Sequence, residues 1–233
     1  IHWWVIVSML VGLSCGCASE RKAMPVAKDG VLDLSDWDFE KDGNVELGGE
    51  WRFVWEEFVD PMPIQKFREQ YRGTIQMPAP WHTQPHPNKP GEMLPVDGYA
   101  TYVLEIHLPP GPERTELGIG SADLNSAATW LITSADATTE FGKLHQGTPG
   151  RTFKTTRPVR IQVSTALTPR NTASIVVFVH ISNFRIARSG TFAAPKLGPQ
   201  RLMAQAEKSE HIFNAIVFGI CLMMRLIKVF FDL

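Results

Sequence analysis

Apolar and polar residues alternate with a period of two through most of this chain, and prolines and glycines cut the alternation into short runs. Few folds accommodate that pattern. Successive side chains of a strand point to opposite faces, so each run reads as a strand with one face in a core. Ala100, Tyr102, Leu104, Ile106 and Leu108 alternate with Thr101, Glu105 and His107 until Pro109-Pro110 ends the run. Val45, Leu47, Trp51, Phe53 and Trp55 keep the same spacing across Gly48-Gly49, where a bend or bulge is expected. Val159, Ile161 and Val163 repeat it, and Ile175–Ile181 is almost continuously apolar and β-branched, as expected of a central strand. Shorter candidates lie at Thr74–Met77, Glu116–Ile119, Ala128–Thr133 and Glu140–Leu144. About eight such strands predict a mainly β fold, an antiparallel sandwich or jelly roll over residues 31–198. Pro78–Pro95 is too proline-rich for a central strand.

Two apolar stretches bracket this domain. Trp3–Leu13 is too short to cross ~30 Å of hydrocarbon, which takes about 20 helical residues. It suits the apolar region of a signal peptide, with Ser14, Gly16, Ala18 and Ser19 beyond it as small residues for cleavage. Residues 1–19 are therefore expected to be a signal peptide or N-terminal membrane segment, and 20–30 a linker. Cys15 and Cys17 each follow a small residue, the one requirement of lipidation they meet; the plain alternative is small residues beside a cleavage site. Ile212–Phe231 is long enough for a transmembrane helix, entered through a polar juxtamembrane helix at 199–211. Arg225 and Lys228 fall in its last third, where they can snorkel and favour a cytoplasmic end. The competing reading is a peripheral helix ending at Met224.

Charge and chemistry exclude more than they select. The 23 basic and 24 acidic residues nearly cancel, and no basic stripe with interleaved aromatics is evident, so nucleic acid is set aside as a partner. The three cysteines, Cys15, Cys17 and Cys221, lie at the apolar ends, which excludes a disulfide framework, a thiolate zinc site and a cysteine nucleophile within the domain. His82 and His86 have helical metal-ligand spacing, but Pro85 and Pro87 forbid the helix. Gly118-Ile-Gly120-Ser121 lacks the lysine of a phosphate loop. Ser121, Asp123 and His145 have no nucleophile-elbow pattern, and nothing in the spacing singles out Asp97, Glu105 and Asp123 as a catalytic carboxylate set. The expectation is no catalytic residue, no metal, no cofactor and no enzymatic activity. Aromatics are the more suggestive supply, because flat rings stack on sugars. Trp51, Trp55, Tyr102 and Trp130 sit in strand patterns and are expected in the core; Trp81, in its proline-rich loop, is the best candidate for exposure.

Four strings carry a resemblance: Gly49–Trp55, Met77–Trp81, Gly98–Tyr102 before its alternating strand, and His180–Phe184 before Ser189-Gly190. From about Val31 to Phe231 the chain resembles the extracellular domain of the 7TMR-DISM group, bacterial seven-transmembrane receptors with diverse intracellular signalling modules. The resemblance implies a galactose-binding-like jelly roll held at the bacterial inner membrane, in the periplasm or outside the cell. It also implies further membrane helices and an output module. Because the chain ends just after its apolar run, a receptor truncated by a frameshift or premature stop is expected. The ligand would be small and polar, of carbohydrate type, with Trp81, Tyr99 and Arg185 as candidate site residues, Trp81 for stacking and Arg185 for a polar or anionic group. The structural alternative is a strand-end anchor for Tyr99 and a surface charge for Arg185, and a homodimer or partner membrane protein is the expected protein partner. The alternatives are a membrane- or lipid-anchored carbohydrate-binding accessory of a glycoside hydrolase, and a non-functional receptor fragment.

Overall fold

The computed structural model describes residues 22–110, 116–120, 126–159, 164–167, 169, 172–185, 193–204, 217–221 and 223–225. Two sheets face each other. The larger holds β1 (Val31–Asp33), β3 (Gly49–Trp55), β4 (Thr74–Met77), β5 (Gly98–His107), β7 (Ala127–Ser134), β8 (Glu140–Gln146) and β10 (Ser174–Asn183). Its order is β4-β3-β5-β10-β7-β8, antiparallel throughout, with β1 added in parallel to the far half of β5. The smaller runs β2 (Val45–Glu46), β11 (Lys196–Pro199), β6 (Leu117–Gly120) and β9 (Ser164–Leu167).

The parity of each run decides its faces. Trp51, Phe53 and Trp55 of β3, Ala100 to Ile106 at even positions of β5, and Ile175 to Ile181 at odd positions of β10 all enter the core between the sheets. Val45, Leu117, Ile119, Leu167 and Leu197 meet them from the smaller sheet. The opposite parity of the same strands, Val54, Val103, Val176 and Phe178, forms a second apolar cluster on the outer face. Helix α2 (Ile64–Gln70) covers it with Ile64 and Phe67. Strand β10 is thus buried on both faces, which is why its sequence is a continuous apolar run rather than an alternating one.

The expected break at Gly48-Gly49 is where the chain leaves the smaller sheet for the larger. Gly49 sits at φ +113°, and a β-carbon there would lie 2.4 Å from the carbonyl oxygen of Ala27, which pairs alongside it. Two short helices have no counterpart in the alternation: α1 (Phe39–Asp42), capped by the Asp38 carboxylate, and α2. Of the strand expected over Val159–Val163, Val159 is irregular and 160–163 lie outside the described residues; β9 begins at Ser164. Residues 1–19 also lie outside them, as does most of 212–231. Residues 200–204, 217–221 and 223–225 are helical, but among the described residues no helix is long and apolar enough to cross a membrane.

Carboxylates tie several joints of this frame. Glu50 accepts from the Asp29 amide and the Thr74 hydroxyl, both at 2.9 Å, and these bonds hold its carboxyl below the ordinary carboxylate range. The Ser35 amide lowers Asp33 likewise, and Ser134 with Thr138 lowers Asp136 in the β7–β8 turn. A carboxyl with a depressed folded pKa stabilises the fold fully above its unfolded value and ceases to do so as pH falls through the folded one. The thermal midpoint is accordingly expected to fall as pH drops from about 5 to about 2, and Glu50→Gln to flatten that slope in a calorimetric series. An unchanged slope in the variant would show that Glu50 contributes nothing to it.

Candidate ligand-binding face

The outer face of the larger sheet changes chemistry within one pleat. The row Val103–Phe178–Leu131 is apolar and lies in the cluster under α2. The next row towards the β5 N-terminus is Thr101–His180–Thr129–His145, one residue from each of four adjacent strands. Beyond it stand Tyr99 and Ser182, paired across β5 and β10. Thr101 and Ser182 are fully buried, whereas Tyr99, His180, Thr129 and His145 keep contact with water.

Residues 57–59 form a strap over the inner part of this polar half. The Thr101 hydroxyl donates to the Glu57 carbonyl at 2.8 Å and accepts from the Val59 amide at 2.9 Å. His180 Nε2 lies 2.8 Å from the Val59 carbonyl oxygen, so that nitrogen carries the proton and donates. The strap lays Phe58 against both His180 and Tyr99, each ring pair 5.0 Å between centroids. Tyr99, Phe58, His180 and Thr129 are each half-buried, and His145, 3.1 Å from the Thr129 hydroxyl, is exposed. Aromatic faces, hydroxyls and imidazole nitrogens therefore share one partly open surface.

The sequence-derived site residues separate here. Trp81 is not exposed: it is 0 % accessible, inside a 3₁₀ turn (Trp81–Thr83) that folds under the sheet. Its Nε1 donates to the Tyr102 hydroxyl at 2.6 Å, and its ring meets Trp55 edge-on at 4.9 Å. Tyr102 is on the inner parity of β5 and Tyr99 on the outer, so Trp81 and Tyr99 lie on opposite sides of the sheet and cannot stack on one ligand. Tyr99 and Arg185 do share an end, because Gly98 pairs with Asn183 and Arg185 follows two residues later. Arg185 is exposed, with its guanidinium 4.1 Å from the centroid of the Phe153 ring. Phe58 and Phe153 escaped the sequence reading because neither lies in an alternating run.

Trp51, Trp55, Tyr102 and Trp130 are buried as expected. Gly98 explains one feature of its motif: a β-carbon there would lie 2.3 Å from the Trp55 ring. Glu105 is engaged structurally, paired with Arg68 of α2 through one oxygen and 3.1 Å from His107 Nε2 through the other. His86 packs against Trp55 at 6.3 Å, and among the described residues no group of three or more potential ligands is placed to hold a metal. Ser121 and Asp123 lie outside the described residues.

No protein-family profile matches the sequence, and no curated protein matches it. Among solved structures, a glycosyl hydrolase family 2 member from Bacteroides cellulosilyticus aligns at 11% identity and TM-score 0.46, over 66% of this chain and 20% of its own. A β-glycosidase from Bacteroides vulgatus aligns at 15% identity and TM-score 0.45, over 66% and 20%. A Faecalibacterium prausnitzii β-glucuronidase aligns at 10% identity and TM-score 0.43, over 67% and 31%. The alignments span less than a third of each of these larger proteins.

Proposed function

We propose that this chain is a ligand-sensing domain of a bacterial transmembrane receptor, a galactose-binding-like jelly roll that takes a small polar ligand, of carbohydrate type, without chemistry of its own. The observation that carries the reading is the polar half of the outer sheet face, where Tyr99, Phe58, His180 and Thr129 are half-buried and share one surface. A half-buried ring offers a stacking face already fixed in place, and the exposed His145 with the Thr129 and Tyr99 hydroxyls would supply the directional bonds that a saccharide needs.

The membrane part of the reading draws on residues 217–221 and 223–225. There Phe218, Ile220, Met223 and Met224 are all more than half exposed on a helical segment, an apolar surface that water does not favour and a bilayer does. The domain would then stand outside the cytoplasm at the inner membrane, with a second copy or a partner membrane protein relaying occupancy.

Calorimetric titration with neutral mono- and disaccharides tests the site. Tyr99→Ala is expected to weaken whichever sugar binds by about tenfold or more, while the far-UV circular dichroism stays that of the folded protein and the loss of the Phe58 contact lowers the denaturation midpoint only modestly. Binding that is unaffected by Tyr99→Ala, or absent for every sugar in the series, would overturn this assignment.

A further inference from the structure

The same end of the sheet carries a second feature, a loop built for display. Residues 147–158 leave β8 and return to their own base, where Thr148 and Arg157 exchange both backbone hydrogen bonds at 2.8 and 2.9 Å. Gly147 turns the chain at φ +77°, and a β-carbon there would lie 2.0 Å from the Arg157 carbonyl oxygen. The middle is bolted to β10: the Gly150 amide donates to the Ser182 hydroxyl at 2.9 Å, and the Thr156 hydroxyl sits 3.2 Å from that same oxygen, with both side chains buried. Thr152 and Thr155 close the tip on each other. What this frame presents is exposed: Arg151, Lys154 and Phe153, the last 53% accessible with Arg185 stacked on it.

Charge points the same way. No Asp or Glu lies between Glu140 and Glu207, whereas ten Lys and Arg do, in a chain whose overall net charge is −1. The acidic residues that balance them are gathered almost entirely at or before Glu140. Arg151 and Lys154 at the loop tip and Arg185 beside it are exposed, and no acidic residue lies within their own stretch of chain.

From the anchored loop, its exposed Phe153 and the exposed Arg151, Lys154 and Arg185, we infer that this edge recognises a carboxylate-bearing oligosaccharide. The inference rests on the carbohydrate reading of the adjoining Tyr99 face and specifies its ligand class. The Phe153 ring offers a sugar an apolar platform; a guanidinium fork matches a carboxylate with two parallel hydrogen bonds; and Lys154 adds a mobile point charge. A loop held by buried hydroxyls gives up little freedom on binding, which suits a discrete ligand. One aromatic ring and three cations are few for the long stacked tracks of single-stranded nucleic acid.

Trigalacturonate and its fully methyl-esterified form, titrated into the full chain, isolate the charge because they share a sugar skeleton. The acid is expected to bind at least about tenfold tighter than the ester, and Lys154→Glu, Arg185→Ala and Phe153→Ala each to weaken the acid by about tenfold. Lys154→Glu should leave neutral saccharides at Tyr99 unaffected and the circular dichroism unchanged. Equal affinity for acid and ester overturns this inference while leaving the Tyr99 reading intact. No binding of acid, ester or neutral sugar overturns both. Binding to phosphatidylglycerol vesicles, lost in Lys154→Glu, with no binding of trigalacturonate, overturns it in favour of a lipid surface.

Discussion

Trp81→Ala is expected to destabilise the fold by about 3–5 kcal/mol, measured as the shift of a urea-unfolding midpoint at constant slope. The magnitude follows from two losses. The indole is wholly buried against Trp55, so truncation opens a cavity that the surrounding strands close only in part. Truncation also removes the donor to Tyr102, a phenol buried deeply enough that its pKa is pushed well up and its hydroxyl stays neutral. Trp81→Phe keeps most of the volume and strands only that hydrogen bond, for which about 1–2 kcal/mol is expected. Tyr102→Phe should cost a similar amount, and the double variant less than the sum, since the two share one interaction. Had Trp81 faced a ligand, truncation would weaken sugar binding and leave the midpoint in place, and that outcome would refute the buried assignment.

The same residue shows how far the sequence could be read. Parity alone placed Trp51, Trp55, Tyr102 and Trp130 in the core, because a period of two fixes a face once the strand is recognised. In the structure the strand begins at Gly98, so the same parity puts Tyr99 opposite Tyr102, on the outer surface. Trp81 lies in no alternating run, and proline-rich connections usually travel over the surface; only tertiary structure shows this one turning under β5. Lys196–Pro199 was invisible for a different reason: four residues containing Gly198 and Pro199 have no strand propensity, and the edge of β6 recruits them. The Phe153–Arg185 contact joins a turn to the end of β10, and no local pattern encodes such a pairing. The charge segregation after Glu140 was nevertheless readable; the near-zero total concealed it.

Phe67→Ala is expected to cost a further large amount, about 3–5 kcal/mol, and to act on the outer face rather than between the sheets. Helix α2 has only Ile64 and Phe67 wholly buried, and seven residues are too few to be helical without that docking. Phe67 packs edge-on to Phe178 at 5.9 Å and beside Tyr71 at 4.9 Å, so its loss loosens the lid over Val103, Val176 and Phe178. Hydrogen exchange should then quicken first in α2 and in the central residues of β10, before global unfolding. Arg68 would leave Glu105 at the same time, but a detached helix readmits water, so the carboxylate is rehydrated instead of stranded. Val59 of the strap shares that apolar cluster, but the strap is also held by the Val59 amide donating to the Thr101 hydroxyl and by His180 Nε2 donating to the Val59 carbonyl. If Tyr99 binds a saccharide as proposed, affinity there should stay within about twofold while stability falls. A parallel collapse of affinity would instead show that α2 and the strap form one cooperative lid, with occupancy of the Tyr99 face coupled to helix docking.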